Sequence, residues 1–296
     1  MTEATDLSDI IESRMAGFSK GQKRIATFLI EHYDQAVYLT AARLGEITGV
    51  SESTVVRFAN ELGFDGYPKL QRALEELVKN RLTASQRMRV SSERIARKDK
   101  SLLRTILQSD SDRIFSTMEE IDEQVFDNAV KALLGAKKIY IVGGRSSAPL
   151  STFLAFYLNL MLDNVVNVSG SNLTEIFEGI FRIDKDDVFI AISFPRYSSR
   201  TVKAMQYASK NGAKTIALTD GKHSPLSQYA DFLLTARSDM LSFIDSLVAP
   251  LSVINSLLVA ISLNKQEELE YSLDRLEQLW GEYQVYAPTG NTEKKI

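Results

Sequence analysis

Through the first eighty residues the apolar positions recur every three to four places, whereas from Lys138 onward they come in short unbroken runs. The first pattern predicts amphipathic helices and the second buried strands. Ala41, Leu44 and Ile47 fall on one face of a helix over Thr40 to Thr48. Thr40 can cap that helix, and Gly49 can end it in a left-handed conformation. A tight Gly49-Val50-Ser51 turn leads to a second helix, Ser51 to Leu62, with Ser51 as its expected N-cap and Gly63 as its stop. Val55, Ala59 and Leu62 form its i, i+4, i+7 apolar row, while Ser53, Thr54, Arg57 and Asn60 lie on other faces. Three more helices surround the pair: Leu7 to Met15, Lys20 to His32 with Ser19 as cap, and one from about Lys69 after Gly66-Tyr67-Pro68. With Tyr33 to Leu39 as a connection, this is a five-helix domain ending near residues 80–85.

Arg81 to Lys100 is polar and cation-rich and reads as a linker or exposed arm. Ser101 to Gly135 is helical again, with Leu102, Leu103, Ile106 and Leu107 on one face and an acidic break over Glu119 to Glu123. Then come five β-prone runs: Ile139 to Val142, Val165 to Val168, Val188 to Ile192, Thr215 to Leu218 and Phe232 to Leu234. Helical patterns separate most of them, which predicts a five-stranded, doubly wound parallel sheet covered by helices on both faces. Leu247 to Ser262 and Glu267 to Trp280 are expected to close the chain as helices, before a polar tail from Pro288. The fold class is thus an all-α domain followed by an α/β domain. The expected boundaries are 1–83, a connecting segment 84–124, the sheet domain 125–265, and a last helix and tail 266–296.

Charge sharpens the picture. The formal net charge of −3 is unfavourable for a nucleic-acid binder until it is divided along the chain. Residues 20–98 hold 14 Lys/Arg against 9 Asp/Glu, and residues 99–296 hold 20 against 25, so positive charge collects around the helical pair. The absence of cysteine removes disulfides, thiolate zinc sites and cysteine nucleophiles, and suits a reducing compartment. The acidic N-terminus lacks a signal-peptide pattern, and no apolar run reaches the ~18 residues of a membrane span. The expected location is the cytoplasm.

The helical pair is a helix-turn-helix pattern, and its chemistry suits DNA. Short hydroxyl side chains at a helix start permit close approach to phosphate, and Arg57, one turn further in, is long enough to reach a guanine edge or a phosphate. The bland alternative is a helical hairpin that only packs. In the sheet domain, ligands are expected beyond the carboxyl ends of the strands. There the chain carries Gly143-Gly144-Arg145-Ser146-Ser147, then Ser169-Gly170-Ser171-Asn172, then Ser193 with Ser198, Ser199 and Thr201. Three hydroxyl-rich loops before helix starts point to a small molecule bearing phosphate or carboxylate, with Arg145, Arg196 and Arg200 adding positive charge. Against this stands the habit of serine to cap helices. Neither G-x-G-x-x-G nor G-x-x-x-x-G-K-[ST] occurs, so a nucleotide site is poorly supported. Catalytic chemistry is thin: His32 ends a helix, His223 follows the fourth strand, and Glu175 is more at home as a solvated first-turn glutamate than as a base. No metal cluster, cofactor or Ser/His/Asp set is expected.

The runs L-G-E-I-T-G-V-S-E-S-T-V-V-R-F-A-N-E-L-G-F-D-G-Y-P-K-L, I-V-G-G-R-S-S-A, I-S-F-P-R-Y-S-S-R-T and G-A-K-T-I-A-L-T-D together resemble the RpiR-type bacterial transcriptional regulators. These join a helix-turn-helix domain to a sugar isomerase (SIS) domain of flavodoxin-like architecture. The resemblance covers nearly all of residues 8–282. It implies that Ser51, Ser53, Thr54 and Arg57, with Lys69 beyond them, meet operator DNA. It implies that Ser146, Ser147, Ser193, Ser198, Ser199 and Thr201 surround a phosphorylated sugar or similar anion, and that the chain acts as a homodimer or homotetramer, with Leu247 to Leu263 at the interface. The usual second loop of the family is S-x-S-G-x-T. Here Pro195-Arg196-Tyr197 lengthens it and Ser199 stands in place of the glycine, a change that narrows the cradle and suits a different anion. An effector-controlled regulator is the reading preferred over a sugar-phosphate isomerase with an accessory helical domain. A pure oligomerisation module leaves the hydroxyl loops unexplained.

Overall fold

The computed structural model describes residues 7–37, 39–81, 88, 101–170, 172–238 and 244–286. The chain divides into two compact units, residues 1–109 with 239–246, and residues 110–238 with 247–296.

The first unit is helical. Helix α1 (Leu7–Arg14) runs through a 3-10 turn, Met15–Gly17, to α2 (Lys20–Glu31). Ser19 closes α2 with a capping box, accepting from Gln22 N while Gln22 Oε1 accepts from Ser19 N. A one-turn helix α3 (Tyr33–Ala36) stands where only a connection was expected; Ala36 N donates to His32 O at 2.9 Å, so the chain restarts a turn as soon as α2 ends. Then follow α4 (Ala41–Thr48), α5 (Glu52–Glu61) and α6 (Tyr67–Arg81). Ile25, Leu29, Leu44, Val55, Phe58 and Leu70 share one core, with Phe18 edge-on to Phe58 at 5.1 Å between ring centroids. The face expected for α4 needs correction. Ile47 is 45% exposed, and Thr48 is buried instead, its hydroxyl donating to Leu44 O at 2.7 Å. Positions 41, 44, 45 and 48 fall within one helical face, and position 47 lies beyond its edge. Tyr67 Oη donates to Leu39 O at 2.8 Å, and burial pushes this phenol up to about 12. The expected linker, Arg81 to Lys100, starts one residue too early, since Arg81 ends α6; the rest of it, Met88 apart, and the expected tail from Pro288 lie outside the described residues.

The second unit is the sheet. Helices α7 (Leu102–Glu120) and α8 (Glu123–Leu134) lead into it, with Asp122 capping α8 through Gln124 N and Val125 N. The apolar row read on α7 is mostly exposed at Leu102, Leu103 and Leu107; Arg113 and Thr117 are its buried side chains. Strands β1 (Ile139–Gly143), β2 (Val165–Asn167), β3 (Val188–Ile192), β4 (Lys214–Thr219) and β5 (Phe232–Thr235) are all parallel, in the order β2-β1-β3-β4-β5. Between them run α9 (Ala148–Met161), α10 (Leu173–Ile180) and α11 (Ser199–Lys210), and α12 (Val248–Asn264) and α13 (Gln266–Glu282) follow.

Alternate strand residues feed two cores. Ile139, Ile141, Ile190, Ile192, Ile216 and Leu218 meet Leu154 and Leu158 of α9 and Ile254 and Leu257 of α12. Tyr140, Val142, Phe189, Ala191 and Ala217 meet Ile180 of α10 and Ala204 and Met205 of α11. A strand buried on both faces has no polar period, which is why these segments read as continuous apolar runs. From β1 the chain goes to β2 on one side and then to β3 on the other. The carboxyl ends of β1 and β3 therefore diverge at a topological switch point, where open α/β sheets hold ligands. Among the described residues no single helix is long and apolar enough to cross a membrane.

Candidate functional site

Two places gather the polar residues singled out by the sequence. In the helical unit, Gly49 takes φ +65° and closes α4, and Val50 N donates to Gly45 O at 2.8 Å. A Cβ on Gly45 would lie 2.8 Å from Val50 O, so the turn folds directly against α4. Arg24 of α2 pins the same turn, its Nη2 donating to Gly49 O at 2.7 Å. Helix α5 then presents Ser51, Ser53 and Arg57 exposed and Thr54 half-buried. Ser51 occupies the N-cap position with extended backbone, but its side chain does not cap. Its Oγ is 2.9 Å from both Ser53 Oγ and Thr54 Oγ1, forming a hydroxyl cluster at the helix start. Arg57 lies back over this cluster, with Nε donating to Ser53 O at 3.3 Å and Nη2 to Thr54 Oγ1 at 3.5 Å. These long bonds on an exposed side chain are readily exchanged for a ligand. Lys69 stands exposed in the first turn of α6, which packs on α5.

Sequence reasoning passed over α2. A Cβ on Gly21 would touch Val50 Cγ1 at 3.2 Å and Thr54 Cγ2 at 3.7 Å, so the first turn of α2 abuts the start of α5. Lys20, Lys23 and Arg24, with Glu31, line a groove of about 680 Å³ between α2 and the end of α4 at Ile47 and Thr48. The signal was present as three cations within five residues.

In the sheet unit, the β1 and β3 loops meet. A Cβ on Gly144 would lie 2.8 Å from Ser198 Oγ and 3.2 Å from Thr201 Oγ1, an approach open only to glycine. Ser198 N donates to Ser193 Oγ at 3.1 Å, and Ser198 Oγ accepts from Thr201 N at 3.4 Å, capping α11. Ser193, Ser198 and Thr201 are thus brought together and buried, whereas Ser199 and Ser146 are exposed and Ser147 is buried. Thr201 is 1% exposed, and its Oγ1 has no hydrogen-bond partner among the described residues. A buried hydroxyl left without a partner costs free energy unless something fills the place.

Two features at the carboxyl ends of the strands escaped sequence reasoning. Tyr197 Oη donates to Asp220 Oδ1 at 2.8 Å, tying the β3 loop to the β4 loop. Asn167, at the end of β2, keeps a buried Oδ1 without a partner among the described residues while its Nδ2 donates to Thr152 Oγ1 at 3.2 Å. A lone amide inside the run Val165 to Val168 was the available signal. The third hydroxyl loop serves α10: Asn172 Oδ1 accepts from Glu175 N and its Nδ2 donates to Glu175 Oε1, both at 2.9 Å. Glu175 is thereby a first-turn capping partner. His223 is exposed on the β4 loop, and His32 ends α2 with its ring 5.1 Å from Phe28. Among the described residues no cluster of His, Asp and Glu could hold a metal ion.

Both units match known families. Residues 5–81 match the helix-turn-helix domain of the rpiR family, and residues 132–260 match the SIS domain. The chain is a transcriptional regulator of the RpiR family. An uncharacterised HTH-type regulator of Haemophilus influenzae is 28% identical to it over 240 residues, 79% of this chain and 81% of the relative. The HTH-type transcriptional regulator HexR of Pseudomonas aeruginosa is 25% identical over 283 residues, 92% and 95% of the two chains. Among solved structures, the sugar isomerase domain of an RpiR transcription factor from Sphaerobacter thermophilus superposes with a TM-score of 0.56 at 28% identity, covering 60% of this chain and 99% of that one. The Vibrio vulnificus NanR protein complexed with ManNAc-6P superposes with a TM-score of 0.59 at 21% identity over 95% of this chain and 100% of that one, a likeness of fold.

Proposed function

We propose that this RpiR-family chain binds operator DNA through α5 and is controlled by a phosphorylated sugar, or a similar small anion, held where the β1 and β3 loops meet. Ser51, Ser53, Thr54 and Arg57 enter the major groove and Lys69 holds a backbone phosphate. Ser147, Ser193, Ser198 and Thr201 cradle the anion, with Ser146 and Ser199 at its rim. The carrying observation is the buried, unpartnered Thr201 hydroxyl beside Gly144, at the start of a twelve-residue helix whose N-terminus favours negative charge. ManNAc-6P, in the NanR complex, is a ligand of the class this cradle suits.

Residues 1–83 carry operator contact, 84–124 connect, 125–265 sense the effector, and 266–296 add the last helix and tail. The regulator works in the cytoplasm as a homodimer or homotetramer, placing paired helices on half-sites one helical turn, or a multiple of it, apart. Effector changes operator affinity only to the extent that it binds one arrangement of the pair more tightly. The site binds without turning over: Glu175 caps α10 with Asn172, Asp220 accepts from Tyr197 Oη and Thr219 Oγ1, and His223 is exposed on the β4 loop. Incubation with aldose and ketose phosphates should give no isomer, and turnover would overturn this reading. Fluorescence-anisotropy titration of promoter fragments tests the DNA half. Arg57→Ala should weaken operator binding by about 1–3 kcal/mol, roughly tenfold or more, and leave phosphosugar-induced thermal shifts in place. Unchanged operator affinity would remove Arg57 from the interface.

A further inference from the structure

The boundary between the two units falls inside α7, between Ser109 and Asp110. Most of the large apolar side chains of this helix do not fasten it: Leu102, Leu103, Leu107, Ile114, Phe115 and Met118 are all exposed. Its fastening to the sheet is polar. The buried Thr117 Oγ1 accepts from Arg237 N at 2.9 Å, and the Arg237 guanidinium is ion-paired to Glu120. Arg237 is the second residue beyond β5, so both bonds tie α7 to the carboxyl edge of the sheet. A helix seated by interlocked apolar side chains has one position, whereas polar contacts are exchanged for others at small net cost.

Hydrogen bonds continue from this tie to the β3 loop. Ala236 N, next to Arg237, donates to Thr219 O at 2.8 Å. Thr219 Oγ1 and Tyr197 Oη both donate to Asp220 Oδ1, at 3.2 Å and 2.8 Å. Tyr197 precedes Ser198, whose N donates to Ser193 Oγ at 3.1 Å and whose Oγ faces Gly144. Every residue of this series belongs to the second unit. The loop at its start holds strain: Arg196, just before Tyr197, has φ +61°, a left-handed backbone that a bulky residue adopts only under constraint.

We infer that Thr117, Glu120 and Arg237 are positioning residues through which effector binding reaches α7. An anion drawn in against Ser198 shifts the β3 loop. Tyr197 and Asp220 carry the shift to the exit of β5, and the bonds from Arg237 reset α7, the helix from which the chain leads back to the operator-binding unit. This rests on reading the switch-point cradle as the effector site. Such a series couples two sites only to the extent that the effector prefers one setting of α7.

The test separates coupling from binding in the full chain. Calorimetry measures the affinity for ManNAc-6P, glucose 6-phosphate, fructose 6-phosphate and ribose 5-phosphate. Fluorescence anisotropy measures the affinity for the tightest-bound promoter fragment, with and without a saturating amount of the probe that binds. In the native chain that probe should change operator affinity about fivefold or more. Thr117→Val keeps the shape and loses the acceptor; it should cut the change to below about twofold, with each separate affinity within about threefold of native. Glu120→Gln, at a half-exposed carboxylate, should cut it by at least about half, and carries the test if the valine variant fails to fold. Thr117→Ser keeps the hydroxyl and should keep the coupling, as should Glu119→Gln, which removes the neighbouring charge. Undiminished coupling in either Thr117→Val or Glu120→Gln overturns the inference, as does an equal loss in Glu119→Gln, which would trace the effect to the charge of the helix. A probe that binds the native chain without changing operator affinity overturns it too, and leaves the cradle standing as a binding site. Failure of every probe to bind refutes the cradle, and this inference with it.

Discussion

Thr201 shows how one atom separates stability from function. Its methyl group packs in the interior while Oγ1 has no partner among the described residues. Valine has the same shape without the hydroxyl. Thr201→Val should therefore leave thermal stability unchanged or raise it by up to about 1 kcal/mol, because a buried polar group without a partner is removed. If Thr201 holds the effector as proposed, the same change should weaken effector binding about tenfold in a calorimetric titration, since the hydroxyl would be one of the ligand's contacts. A destabilised protein with unaltered effector affinity would make the hydroxyl structural. The residue type and its place in S-F-P-R-Y-S-S-R-T were legible in the chain. That Oγ1 would face Gly144 was not, because the two positions are 57 residues apart and meet only through strand pairing.

Elements show a similar division. Helix α4 was legible from its cap, its apolar spacing and Gly49, yet its role in setting α5 comes from a position the pattern did not mark. Gly45 is not needed for the helix, and alanine is the better helix former by about 1 kcal/mol. But a Cβ there would press on Val50 O at 2.8 Å and Glu52 N at 3.3 Å, both backbone atoms of the turn. Gly45→Ala should accordingly lower stability by about 1–3 kcal/mol in denaturant titration, and operator binding should fall as α5 is tilted. A neutral or stabilising outcome would show that the turn can retreat without consequence. The exposure of Ile47 and the single turn of α3 were misjudged for a related reason. A period locates a face, but its edges, and the length of a connection, depend on what packs against them.

At the scale of the molecule, charge is apportioned by position rather than by total. The chain is acidic overall, at −3, yet Lys20, Lys23 and Arg24 line a groove between α2 and the end of α4, the helix that leads into the turn before α5. With Arg24 engaged on the Gly49 carbonyl, the two lysines would extend contact along the DNA backbone if α5 meets the duplex as proposed. Lys20→Gln combined with Lys23→Gln should weaken binding to operator and unrelated DNA alike, and should lower the slope of log K against log salt by about 2. An unchanged slope would place α2 off the duplex.

By itself the sequence determined the order of elements, the helical and sheet units, the helix-turn-helix and the hydroxyl-bearing strand ends, since periods, caps and turn glycines are local properties of a chain. Tertiary structure alone decided the rest. It chose which serines converge, left the Thr201 hydroxyl without a partner among the described residues, paired Tyr197 with Asp220, and held Arg145 and Arg196 in left-handed backbone. These depend on strand order and on the approach of distant backbones, and the crossing from β2 back over to β3 is what makes neighbours of residues that the chain keeps far apart.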